Sequence, residues 1–237
     1  LLFQAAIVKN NYRGGYKYCY CTKSSHFRHI VEEALRNDIH LETSSAFDMP
    51  MIDALEKKGS LTKDITVICN GFKTFQYKQY IIDMLHDGFK NIIPVLDNKE
   101  EFNIYDDELD IPCSIGMRIA AEEQPDSQFY TSRLGNIIEF YNHKIALNPN
   151  FKVKLLHFFI NSGISDTPYY WNELEKYTIL YCKFKKINPD LDTLDIGGGM
   201  PFKDSLAFDF DYEYMVNEIV KRIKEICAEH DVVEPDI

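Results

Sequence analysis

Two short stretches of this 237-residue sequence carry residue types that could do chemistry. The first is "YCYCTKSS", residues 18–25, an apolar, Tyr- and Cys-rich run that delivers Lys23 at its end. A strand flanked by helices offers an ammonium little water, and lysine is among the least often buried residues. An amine held there could join covalently to a carbonyl compound, a recurrent use of a nucleophilic lysine. The second stretch is "LDIGGGMPF", residues 194–202, in which Gly197, Gly198 and Gly199 follow a strand pattern. Consecutive glycines permit positive φ and close approach of a ligand, and their N–H groups could wrap an anion. A plain tight turn would use the same residues. The pattern is not G-x-G-x-x-G and no Walker lysine follows, so the dinucleotide and P-loop readings fall away.

These residues need a scaffold, and the hydrophobic pattern predicts one. Short apolar runs at 15–22, 39–44, 65–70, 91–96, 113–120, 153–160, 191–197 and 234–237 read as strands. Amphipathic helical stretches fill the gaps, as in "SHFRHIVEEAL", with Phe27, Ile30, Val31, Ala34 and Leu35 on one stripe. "YEYMVNEIVKRIKEICAE" repeats apolar residues at the same spacing. Strands alternating with helices imply a parallel sheet, and this order fits an α/β (β/α)8 TIM-like barrel better than an open sheet. Residues 1–237 are read as one such domain, with the chain expected to stop inside its eighth strand. Period-two alternation puts Tyr16, Tyr18 and Tyr20 beneath the helices and Cys19, Cys21 and Lys23 on the inward face. It also sets Glu42, Asn70, Arg118, Phe159 and Asp195 near the carboxyl ends of strands two, three, five, six and seven. Barrel enzymes carry their catalytic groups at that rim.

Bulk composition narrows the function classes. A net charge of −11, without a basic stripe, argues against nucleic acid as a partner. No apolar run is long enough to cross a bilayer, and no signal-peptide pattern opens the sequence, so a cytoplasmic protein without a membrane partner is expected. The six cysteines lack the spacing of a zinc site or a disulfide scaffold and read as reduced thiols. His26 and His29 lie one helical turn apart, but no carboxylate or cysteine completes a set, so no metal is expected.

A phosphate-binding loop and a rim lysine on one barrel point to an aldehyde cofactor with a phosphate, pyridoxal 5′-phosphate. The stretches "YCYCTKSSHFRHIVEEAL", "LETSSAFDMPMIDAL", "VICNGFKTFQYKQYII", "GMRIAAEE", "LLHFFINSGI" and "LDIGGGMPF" occur in an order that resembles the fold-type III pyridoxal-phosphate decarboxylases. "CNGFK", residues 69–73, is most similar to the biosynthetic arginine decarboxylases within the ornithine and diaminopimelate decarboxylase superfamily.

The resemblance implies a barrel of the alanine racemase type and a carboxy-lyase acting on a small basic amino acid. Arginine, giving agmatine and CO2 on the way to polyamines, comes first. Ornithine, lysine, diaminopimelate and carboxynorspermidine are the alternatives, with an amino-acid racemase, a small cofactor-carrier protein or a non-catalytic regulator beyond them. A homodimer and a C-terminal β-domain outside this chain are also implied. By position, Lys23 would hold the cofactor aldehyde; Gly197, Gly198, Gly199 and Ser162 the phosphate; and Arg118, Glu42 and Asp48 the surroundings of lysine and ring.

Phe159 in "HFFINS" stands where the family carries a ring-stacking histidine, with His157 one inward step earlier. Asp195 is read either as a cap on the glycine turn or as a cofactor contact. Asn70 and Lys73 are read as helix-start or solvent residues. Glu234 is not taken as the glutamate that pairs with the pyridine nitrogen, which is expected beyond Ile237.

Overall fold

The structure is a computed structural model that describes residues 1–120, 128–129, 134–203 and 208–237, with the side chains of 134–136 left aside. Positions 121–123 of the "GMRIAAEE" stretch lie outside the described residues. Two compact units divide the chain: Lys17–Arg118 with Glu139–Lys154, and Leu1–Tyr16 with Ile119–Ile138 and Leu155–Ile237.

The first unit is a run of parallel β-α repeats. Strands β1 (Cys19–Cys21), β2 (His40–Thr43), β3 (Thr66–Cys69), β4 (Asn91–Leu96) and β5 (Cys113–Arg118) lie side by side in chain order. Their register pairs Cys21 with Glu42, Glu42 with Ile68, Cys69 with Pro94 and Leu96 with Met117. Helices α2 (Arg28–Arg36), α3 (Met49–Lys57), α4 (Phe75–His86) and α5 (Lys99–Glu108) make the crossovers. Local signals start the last two: Thr74 accepts a hydrogen bond from Tyr77 N at 3.2 Å, and Asn98 accepts one from Glu101 N at 3.0 Å. Leu41, Val67, Ile92, Val95, Ile115 and Met117 are buried, as expected for strands covered by helices.

The second unit takes the end of β6 (Phe151–His157), β7 (Thr193–Asp195), and helices α1 (Leu2–Lys9), α7 (Pro168–Lys185) and α8 (Tyr212–Glu229). In chain order α6 (Leu134–Phe140) follows β5 and precedes β6, and one π turn, Tyr141–Ile145, comes after it. β6 and β7 pair in parallel, Leu155 with Thr193 and His157 with Asp195. An eighth strand is present as one parallel bridge between Thr193 and Asp236. Ile237 N also donates to Gly15 O at 3.0 Å, and Gly15 N to Asp236 Oδ1 at 2.7 Å. The strand thus begins to insert between β7 and the segment that leads into β1. Chain-order, all-parallel strands with helical crossovers are the α/β (β/α)8 topology expected from the sequence. Among the described residues no helix is long and apolar enough to cross a membrane.

Several expected boundaries shift. β4 matches end to end, but β1 holds three residues of the expected eight, and all three are half-buried. Tyr18 is 51% exposed rather than tucked beneath helices. β6 ends at His157, so Phe159 stands two residues past the strand. The helical stripe of α2 buries Val31 and Ala34, whereas Phe27 precedes the helix and is exposed.

Candidate functional site

In the first unit the candidate residues lie near or after the carboxyl ends of the strands. Lys23 lies beyond β1, in the 3-10 turn Thr22–Ser24, where strand alternation no longer applies, and it is exposed. Glu42 projects from the penultimate position of β2, where its Oε1 accepts a hydrogen bond from Asn70 Nδ2 at 3.1 Å. Thr22 Oγ1 donates to the Glu42 carbonyl at 3.2 Å, which ties the turn carrying Lys23 to β2. The Cys21 thiol is pushed up to about 11, first by burial and next by the negative charge of Glu42, with Lys23 pulling the other way and Asp48 adding a smaller upward push. Lys23, Glu42 and Asp48 thus all act on the charge of one thiol. Asn70, expected at a helix start or in solvent, partners Glu42 instead.

Asp48 is a buried hub. Its Oδ2 accepts from Ser44 N at 3.0 Å, Ser45 N at 3.0 Å and Ser45 Oγ at 3.1 Å, while Oδ1 meets His26 Nε2 at 2.8 Å. Those bonds fold the "TSSAFD" turn so that α3 starts directly after it. His26, considered in the sequence only for metal spacing, is the exposed partner that orients this carboxylate.

Arg118 ends β5 and pairs through Nη1 with Asp97 Oδ1 at 3.2 Å, one residue past β4. Behind this pair lies Lys73, which is fully buried and not in solvent as its residue type suggested. Its ammonium donates to Val95 O, to Gly71 O at 2.9 Å, and stands 3.5 Å from Glu101 Oε2. Glu101 Oε2 in turn accepts from Asp97 N at 3.1 Å. Burial raises the Glu101 carboxyl above its ordinary range, with Lys73 partly offsetting the shift. The Asn98-x-x-Glu101 spacing was the signal for Glu101, because it is a helix-start signature. Nothing in the sequence marked Lys73 as buried.

In the second unit the ends of β6 and β7 and the loops that follow them form one structure. His157 Nδ1 and Asp195 Oδ2 are 2.9 Å apart, with the imidazole 3% exposed. Asp195 Oδ1 accepts from Gly197 N at 2.8 Å, so the capping reading of Asp195 describes a bond that is present. Burial would raise the Asp195 carboxyl, but the His157 ring and the Gly197 N–H hold it below the usual range. Gly197 and Gly199 take φ of +68° and +89°, conformations that strain other residues. Gly198 does not, and a side chain there would meet nothing within 4 Å. Gly163, next to the exposed Ser162, also has positive φ, and a Cβ on it would fall on Gly199 O. Ile164 N donates to that same oxygen at 3.2 Å.

Phe159 is partly exposed and lies against Gly197, its ring 3.7 Å from where a Gly197 Cβ would be. Phe158 turns the opposite way, stacked on Tyr177 of α7 with centroids 4.0 Å apart. Glu234 is buried and bonded to Arg13 at 2.5 Å. The Thr193–Asp236 bridge puts it at the amino end of the strands, away from the end where Asp195 stands.

The ten residues singled out in the sequence thus fall into two groups. Lys23, Glu42, Asp48 and Arg118 belong to the first unit; Phe159, Ser162, Asp195 and Gly197–Gly199 belong to the second. Within the second unit, the loop offers the donors that a phosphate would need. A glycine loop has open space over its middle residue, and among the described residues Gly198 N and Gly199 N have no acceptor. In the first unit Lys23 is an exposed amine.

Comparison with known proteins agrees. The chain is 25% identical over 257 residues to the biosynthetic arginine decarboxylase of Alkalilimnicola ehrlichii, an alignment that covers 99% of this chain and 40% of that protein. It spans about 40% of the length of the curated relatives it matches first. The solved biosynthetic arginine decarboxylase of Campylobacter jejuni superposes with a TM-score of 0.77 at 18% identity, over 100% of this chain and 40% of that one. The diaminopimelate decarboxylase of M. jannaschii, solved with L-lysine, gives 0.80 at 13% identity, over 99% and 56%. At those identities the two structures speak for the fold alone. Residues 4–235 match the pyridoxal-binding domain of the pyridoxal-dependent decarboxylases, and the chain belongs to that family.

Proposed function

We propose that this domain binds pyridoxal 5′-phosphate and serves the decarboxylation of a basic amino acid, first of all arginine to agmatine and CO2. The observation that carries the reading is the glycine loop: open space over Gly198, two N–H groups without acceptors among the described residues, and flanking glycines fixed at positive φ. Family membership supports it, and the curated relatives named for arginine decarboxylation support the substrate.

In this reading Lys23, which is exposed, presents the amine to which the cofactor aldehyde attaches. Gly198, Gly199 and Ser162 hold the phosphate through N–H and O–H donors. Phe159 offers an aromatic face where the family uses an imidazole; a phenyl ring can pack but cannot move a proton. Arg118 and Glu42 supply charges of opposite sign to the rim, each fixed by a hydrogen-bonded neighbour, Asp97 and Asn70. When bound, the cofactor supplies an electron sink for the pair left on the α-carbon as CO2 departs. The six unbridged cysteines support a reducing, cytoplasmic setting. A homodimer of the full-length protein is part of the same proposal and rests on the family resemblance.

The test is CO2 release from carboxyl-labelled arginine, ornithine and lysine by the full-length protein supplied with pyridoxal 5′-phosphate. Arginine is expected to react fastest. Release from none of the three by protein shown to carry the cofactor overturns the proposal.

A further inference from the structure

We propose that His157 and Asp195 are positioning residues for the glycine loop. The imidazole orients the carboxylate, the carboxylate takes up the Gly197 N–H, and Gly198 and Gly199 are left as the N–H pair that meets the phosphate. This rests on the pyridoxal-phosphate reading above and assigns the three glycines unequal roles.

Strand register creates the pair. His157 and Asp195 are directly matched at the ends of β6 and β7, which puts both side chains on one face. The two Asp195 oxygens face different neighbours: Oδ2 stands at ion-pair distance, 2.9 Å, from His157 Nδ1, and Oδ1 accepts from Gly197 N at 2.8 Å. The ladder runs one step further, because Phe158 N donates to Asp195 O at 3.1 Å. Gly197 is pressed against that step; a Cβ on it would stand 2.8 Å from Phe158 O. At its far end the loop is fixed again by Ile164 N donating to Gly199 O. Both ends of the loop are therefore held from below, and only the middle faces open space.

Charge explains why the carboxylate needs a partner. A half-buried carboxylate close to a phosphate site would repel the ligand, and an unpaired one would more readily take up a proton. A protonated Asp195 oxygen would donate where Gly197 N–H requires an acceptor. The neighbouring imidazole answers both difficulties, and the Asp195 carboxyl is accordingly held below its ordinary range.

The test compares pyridoxal 5′-phosphate with pyridoxal, which has the same ring and aldehyde but no phosphate, on the full-length protein. Asp195→Leu and His157→Leu are expected to lose about tenfold or more in affinity for the phosphorylated form, with pyridoxal moving by less than about threefold. His157→Asn carries an amide nitrogen on the same Cγ and should restore most of the loss. Amide hydrogen exchange at Gly197, read without any ligand, should quicken in both leucine variants and slow again in His157→Asn. An unchanged affinity ratio with unchanged Gly197 exchange overturns the positioning role while leaving the cofactor reading intact. Wild-type protein that binds pyridoxal as tightly as its phosphate overturns both. If a leucine variant does not fold, His157→Asn against wild type still decides: a ratio and an exchange rate retained with asparagine support the inference, and loss of either defeats it.

Discussion

Lys73 Nζ and Glu101 Oε2 stand 3.5 Å apart with the lysine side chain fully buried and the glutamate nearly so, joining the turn after β3 to the start of α5. Removing one member of a buried pair leaves the other charge uncompensated, which costs about 3–5 kcal/mol. Lys73→Met should destabilise the protein by that amount in urea titration, whereas Lys73→Met with Glu101→Leu should recover most of it.

The same pair sets a pH dependence. Burial raises the Glu101 carboxyl, so the folded state binds a proton more readily than the unfolded chain does. Stability from this group is greatest when it is protonated and declines as pH rises from the ordinary glutamate range through the raised folded value. Glu101→Gln should remove that decline. The measurement is the difference in unfolding free energy between variant and wild type across mildly acidic pH.

The glycines should respond differently to alanine. Gly163→Ala would drive a methyl group onto Gly199 O, and Gly199→Ala would set one 2.9 Å from Gly163 Cα, both at positive φ. Each should destabilise the fold by roughly 1–3 kcal/mol or more. Gly198→Ala meets nothing within 4 Å, so its thermal midpoint should stay near wild type while affinity for pyridoxal 5′-phosphate falls by about tenfold. Equal effects at all three positions would contradict the assignment.

Lys23 is exposed in its turn, so Lys23→Ala should change stability by no more than about 0.5 kcal/mol. It should abolish covalent trapping of pyridoxal 5′-phosphate on borohydride reduction. Retained trapping, seen as added mass on the intact protein, would assign the attachment to another amine.

Phe158 and Phe159 are adjacent in sequence and opposite in consequence. Phe158→Ala removes a ring stacked on Tyr177 in the core and should cost about 3–5 kcal/mol. Phe159→Ala should leave the fold near wild type and weaken cofactor binding several-fold to about tenfold, as loss of an offset aromatic contact would. Phe159→His should bind nearly as well as wild type. A Phe159→Ala protein with unchanged cofactor affinity would remove the ring from the site.

The fold was legible where one signal acted alone. β4 could be read to the residue because an apolar run sits between polar ends, and α8 because its apolar stripe persists over five turns. β1 could not, since Tyr and Cys fit a strand whether or not a ladder forms beside them. Of the site, the glycine run and the rim lysine were visible as types. Which glycines take positive φ was not, because three identical residues carry no mark of their dihedrals. Lys73 was misjudged for a related reason. Its burial depends on Gly71 O, Val95 O and Glu101, acceptors that only the packed strand ends bring together.

The contact between Gly163 and Gly199 has an evolutionary side. Two loops from successive repeats share one backbone surface without room for a methyl group between them. A change of length or residue in either loop is felt in its neighbour, so the two form a single unit of inheritance. Variants that reshape the loop after β6 should be tolerated best in backgrounds where the loop after β7 has also changed. Substitutions across this pair should therefore show strong epistasis, and a library that randomises one loop alone should yield mostly destabilised variants.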